Sequence, residues 1–201
     1  MSFLDDLLKK AGKALKKSLS DSISGAAKDA VTNKSYPYAF AKLPENLTEL
    51  MALPGSDLKD PYAVAAFTIA ALDLFPKNKD ASIEMLNYIK GPRPLVPMDI
   101  SFIKDRFMDG VDYVPRSYFE GTSPQNDYTP SVPYTVNVLE LAHSRDQISE
   151  GYLKLFLRSS GADSERYLVL RHKPSTDQWF LWSFEGVMSG IRIPVSKDDW
   201  A

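Results

Sequence analysis

Two histidines, His143 and His172, and no cysteine stand in a chain of 201 residues. The missing thiols remove disulfides, thiolate zinc sites, iron–sulfur clusters and cysteine nucleophiles together. No histidine pair lies at i, i+4, so a helical two-histidine zinc site is excluded by count. A G-x-S-x-G elbow, a Walker A loop and a strand-following G-x-G-x-x-G are also missing. His143 precedes Ser144, Arg145 and Asp146 and reads as a surface loop residue. His172 sits beside a turn and reads as a satisfied strand-end residue. Asp105 and Asp109 lie one helical turn apart in the run Asp99, Asp105, Asp109, Asp112. The dense spacing and trailing glutamate of a calcium loop are absent from that run, which reads as a solvated helix end. No catalytic residue, metal ligand or cofactor is assigned, and the balance leans away from an enzyme.

The arginines offer more. Arg116, Arg158 and Arg171 could hold an anionic group by bidentate contacts. Their pocket would lie between the 111–133 connection and the strands that follow it. The run from Arg158 to Asp163 (RSSGAD) could present backbone N–H groups to an anion. Against that stands a plain hairpin loop with Gly161 at positive φ. Tyr152, Lys154, Phe156, Arg158, Tyr167 and Arg171 mix aromatic and basic character on one face, which could stack nucleotides. The aromatic-rich signature of an RNA-binding sheet, with its glycine, is missing, and the charge balance disfavours nucleic acid as a partner.

The elements that would carry these residues fall into two parts. Residues 1–35 form an appendage, with Phe3, Leu4, Leu7, Leu8, Ala11, Ala14, Leu15 and Leu19 at helical spacing opposite a lysine-rich face. Seven lysines and four aspartates give residues 1–34 a charge of +3, which leaves −5 on the rest of a chain totalling −2. Of 23 aromatic residues only Phe3 precedes Tyr36, so the core is expected to begin there, as a single α+β domain over 36–201. Lysines interrupt the N-terminus too often for a signal peptide, and no apolar run is long enough to span a bilayer. A cytoplasmic location follows, with the inner membrane face open to the helix as a peripheral contact.

Within the body, helices are predicted over 44–53, 61–75, 80–90 and 99–108. The second starts at Asp60-Pro61 and is apolar nearly all round, which makes it central and buried. Four prolines and four aromatics punctuate the connection 111–133. Period-two alternation then predicts strands over 134–141, with a bulge at Val138–Leu139, and over 152–158, 166–172, 178–184 and 191–195. The expected fold is α+β, an N-terminal amphipathic helix and a four-helix region before an antiparallel sheet of four to five strands.

Three strings, YVPRSYFEG (113–121), LFLRSSGADSERYLVLR (155–171) and QWFLW (178–182), resemble an uncharacterised bacterial domain family of unknown function. The resemblance covers roughly residues 36–201 and implies that Arg116, Tyr118, Arg158, Asp163 and Arg171 sit in recurring motifs. It supplies no activity or cofactor. The expected role is therefore a non-enzymatic interaction module. Phe3, Leu4, Leu7, Leu8 and Leu15 would make its contacts with a protein partner, a second copy or a membrane surface. The alternative is a small anionic-ligand-binding protein or enzyme built on the arginines above.

Overall fold

Capping chemistry sets the helical half of the molecule. In a computed structural model, which describes residues 33–200, helix α1 (Leu47–Met51) begins where the Asn46 side chain accepts from the Glu49 N–H. It is shorter than the predicted 44–53. Helix α2 (Pro61–Leu74) starts as expected, with the Asp60 carboxylate accepting from the Tyr62 N–H and Pro61 in the first turn. Helix α3 (Lys79–Lys90) is capped by Asn78, starts one residue ahead of the predicted 80, and ends at Gly91. Helix α4 (Pro97–Arg106) starts two residues early, because Pro97 supplies the first turn and Asp99 reaches back to the Val96 N–H at 3.2 Å. None of the described helices is long and apolar enough to cross a membrane. The amphipathic segment with Phe3, Leu4, Leu7, Leu8 and Leu15 lies outside the described residues.

Five strands form one sheet in sequence order: β1 (Lys34–Phe40), β2 (Tyr134–Glu140), β3 (Tyr152–Leu157), β4 (Arg166–Lys173) and β5 (Gln178–Ser183). From β2 to β5 every neighbour pairs antiparallel, as short turns require. Two corrections concern membership. The region from Tyr36 is read as helical in sequence, yet β1 opens it. Residues 191–195 alternate like a strand but stay outside the sheet, since Pro194 has no N–H and the Arg192 N–H is given to Gly161 O at 2.9 Å. The bulge is also displaced: β2 and β3 pair at Val138 and Leu139 without a shift, and the irregularity falls at Val169/Leu170 in β4.

The core sits where α2 meets one face of the sheet. Twelve of its fourteen residues are buried, and Leu153, Leu155, Leu157, Leu168, Leu170 and Leu181 meet the same cluster from the strands. The free edge of β5 is closed by the loop after α1, where Trp179 N–H donates to Leu58 O at 2.7 Å and Gln178 Nε2 to Asp57 O at 2.9 Å. Tyr88 and Tyr38 hold that loop through Ser56 O and Pro54 O, at 2.6 and 2.8 Å.

One carboxylate interrupts α2. The Asp73 side chain is 5% exposed and meets only the exposed Lys77 Nζ, at 3.4 Å. Burial pushes its carboxyl above the ordinary 3.8, against the pull of Lys77 and Arg116. A carboxyl raised on folding stabilises the fold below its unfolded pKa and loses that contribution as pH rises through the folded one. Thermal melts across pH should therefore show Asp73→Asn gaining on the parent as pH climbs from about 3 towards 7. A variant that loses ground over that range would mean that the Lys77 pair dominates.

Candidate anion-binding cleft

Folding distributes the sequence-predicted site residues over different partners. Arg116 leaves a short 3-10 turn (Pro115–Tyr118) and pairs with Asp112 at 2.7 Å. Arg158 follows β3 and pairs with Glu165 at 2.9 Å, its side chain 73% exposed. Arg171 stands opposite Tyr152 at the other end of β3, so about 20 Å of strand separates it from Arg158. Asp163 is exposed and bound to Arg192. The three arginines do not share a pocket.

A cavity of about 470 Å³ does lie between the 111–133 connection and the sheet, with Tyr118, Gly121, Thr122, Arg158, Ser159 and Ser160 among its walls. Its hydroxyls at positions 117, 118, 122, 159 and 160 are already engaged. Ser159 Oγ donates to Ser117 Oγ at 2.7 Å, and Ser117 Oγ donates to Val114 O at 2.7 Å. Ser160 N–H gives to Ser117 O at 2.9 Å, and Thr122 Oγ1 meets Ser160 Oγ at 2.9 Å. Tyr118 is buried, donates to Val187 O at 2.8 Å, and has its phenol pushed well above the usual range by burial. Gly161 is required by close approach: a Cβ there would lie 2.1 Å from Tyr128 Oη. Its φ is not positive, contrary to the hairpin expectation. These motifs clasp the turn after β3 to the 111–133 connection.

That clasp is testable. Ser117→Ala removes the acceptor of the buried Ser159 O–H, whose oxygen keeps the Gly161 N–H, and should cost about 1–3 kcal/mol in denaturant unfolding. Arg158→Ala at the same cavity, exposed and singly paired, should change stability by less than about 1 kcal/mol.

A second concavity has unspent charge. Among the described residues are eight arginines. Five of them, Arg106, Arg116, Arg145, Arg158 and Arg192, hold a carboxylate, and Arg166 binds the carbonyls of Ser164, Ser189 and Gly190. Arg93 and Arg171, like Arg166, have no carboxylate partner among the described residues, and these two line one cleft of about 360 Å³ between the end of α3 and strands β4 and β5. Lys90 and Lys173 line it too, with no acidic side chain in its walls; Pro92, Pro174, Phe180, Leu181 and Trp182 supply apolar surface. His172, also in the wall, is taken up by Asp177 at 2.9 Å.

Local structure explains this convergence. Gly91 ends α3 with φ +57°, and a Cβ there would fall 2.2 Å from the Phe180 ring, so the helix end lies flat against β5. Pro92 and Pro94 stiffen the departing chain around Arg93, and Asn87 Oδ1 fixes its course by accepting from Leu95 N–H at 2.8 Å. Stacking holds the cations. The Arg93 guanidinium lies 4.2 Å from the Trp182 ring centre, and Trp182 meets Tyr152 edge-on at 5.4 Å. Arg171 lies 4.2 Å over Tyr152 and donates to Glu150 O. Stacking leaves the guanidinium edges available to acceptors.

Only Arg171 of this cleft is a sequence-predicted site residue. Lys90, Arg93, Lys173 and Trp182 were missed, although basic residues beside prolines at 92–94 and 173–174 are a usable signal. The face with Tyr152, Lys154, Phe156, Tyr167 and Arg171 does exist on the sheet, with Lys154 3.9 Å over the Tyr167 ring. Three of the four aspartates of the 99–112 run go to separate partners: Asp99 to Val96 N–H, Asp105 to Arg106, Asp112 to Arg116 and Lys197.

No curated protein and no solved structure matches the chain. A family model described as a domain of unknown function, DUF6935, matches residues 42–195. That span holds all three quoted motifs, the clasp they build and the whole cleft, and on this match the chain belongs to the DUF6935 family.

Proposed function

We propose that this domain is a non-enzymatic binding module for a small anion with a flat apolar body, held in the cleft between α3 and strands β4 and β5. The observation that carries the reading is the pairing pattern: of the three described arginines without a carboxylate, Arg166 is taken up by backbone carbonyls, and the other two, Arg93 and Arg171, line the same apolar hollow. A cavity of about 360 Å³ suits a ligand of one or two rings. Its prolines and aromatics would cover the apolar body while the cations take the charge. This is the anionic-ligand reading moved from the 111–133 cavity, where Ser117, Thr122, Ser159 and Ser160 bond to one another and to backbone and the single arginine is paired with Glu165.

Benzoate is a suitable probe. Titration followed by NMR should shift the Trp182 indole N–H and the backbone amides of Arg93 and Lys173. Benzyl alcohol, similar in size and uncharged, should shift them far less. Changing Arg93 or Arg171 to Gln should each weaken benzoate about tenfold, and added salt should weaken it further. Shifts spread over the surface, or unchanged by both substitutions, would overturn the reading.

The apolar stripe of the N-terminal sequence supports a second function for the same chain. Phe3, Leu4, Leu7, Leu8 and Leu15 opposite a lysine face suit an amphipathic helix that attaches the module to a protein partner, a second copy or an anionic membrane surface. Deleting residues 1–34 should abolish co-sedimentation with anionic liposomes or recovery of a partner and leave the melting temperature of the body unchanged. Unaltered association after the deletion would end this reading.

A further inference from the structure

Lys90 is the one buried lysine among the described residues, its side chain 9% exposed. A buried ammonium ordinarily keeps short hydrogen bonds or a close ion pair, because leaving water is costly. Here the contacts are long: Trp182 O at 3.5 Å, Asp99 Oδ2 at 3.8 Å and the Phe184 ring centre at 5.8 Å. The Asp99 oxygen is already shared with the Val96 N–H. A lysine kept only to stabilise the fold gains little from such a setting. The same residue lines both the 360 Å³ cleft and a neighbouring one of about 510 Å³.

Two features favour covalent capture by this amine. Desolvation favours the neutral amine, the reactive form, and the nearby Arg93 works in the same direction, against Asp99 and Glu185, so Lys90 lies below the ordinary lysine range. The apolar walls also limit the water that would hydrolyse a product.

We propose that the Lys90 amine is a covalent anchor for a small anionic aldehyde seated in this cleft, its negative group on Arg93 and Arg171. The proposal rests on the binding reading above and narrows the ligand class from anion to carbonyl-bearing anion. The ammonium gives one proton to water, and the nitrogen then attacks the aldehyde carbon to form a C–N bond. The two protons left on nitrogen pass to the carbonyl oxygen, which leaves as water as the C=N bond forms, giving an imine. No oxidant or reductant is involved, and hydrolysis reverses the step.

The test uses the full chain with para-carboxybenzaldehyde and sodium cyanoborohydride, which reduces the imine to a stable amine, followed by peptide mapping by mass spectrometry. Lys90 should be labelled about tenfold faster than the exposed Lys59 and Lys79. Benzoate, with the ring and the charge but no aldehyde, should protect it, and uncharged benzaldehyde should lose the selectivity. Lys90→Met and Lys90→Arg should each remove that label, and a melting curve for each variant shows that it is folded. Arg93→Gln should lower the Lys90 label and leave Lys59 unchanged. Labelling of Lys90 no faster than Lys59 overturns the proposal. If benzoate still binds the cleft in that case, the binding reading stands alone; if benzoate binding fails as well, both fall.

Discussion

Helix α2 has no side that can face water, and the rest of the domain is arranged to enclose it. Phe67, Ile69 and Leu72 would each forfeit about 1.5–3 kcal/mol if exposed, and Ala63, Ala65, Ala66, Ala70 and Ala71 leave room for neighbours to approach closely. Enclosure takes three walls: the leucine face of the sheet, helix α3 and the segment around Pro115–Tyr118. The clasp of hydroxyls at Ser117, Ser159 and Ser160 belongs to the third wall. The cleft belongs to the second, at the point where α3 runs out of helix beside β5.

Much of this was legible in the chain because the signals were local. Asp60-Pro61 and a uniformly apolar run specify a buried helix, and the alternation of leucines in β3 and β4 specifies which face is covered. What escaped was non-local. Strand β1 is an edge strand in which Tyr36, Tyr38 and Phe40 alternate, but Pro37 among them argues in sequence against a ladder position. Residues 191–195 have strand-like alternation, but the ladder requires N–H groups, and here one is missing at Pro194 and another is given to Gly161. The motif arginines were visible by type, yet type says nothing of pairing. Asp112 and Glu165, four and seven positions from their partners, take up Arg116 and Arg158.

Charge follows the same lesson. A body with net −5 gives no hint of a basic hollow, because the average mixes neutralised pairs with unpaired cations. Four cations, Lys90, Arg93, Arg171 and Lys173, come from two stretches some eighty positions apart and meet only after the sheet has formed. Stacking on Trp182 and Tyr152 compensates part of their mutual repulsion without consuming their charge.

The flat contact between Gly91 and Phe180 ties cleft and fold together. One added carbon at position 91 would collide with the ring, and the simplest relief would swing the end of α3 outward, carrying Lys90 and Arg93 with it. The width of the hollow is thus set by an atom that is not there. Divergence among family members at this glycine should track a change in what the hollow accepts, whereas the rim cations could vary without disturbing the core.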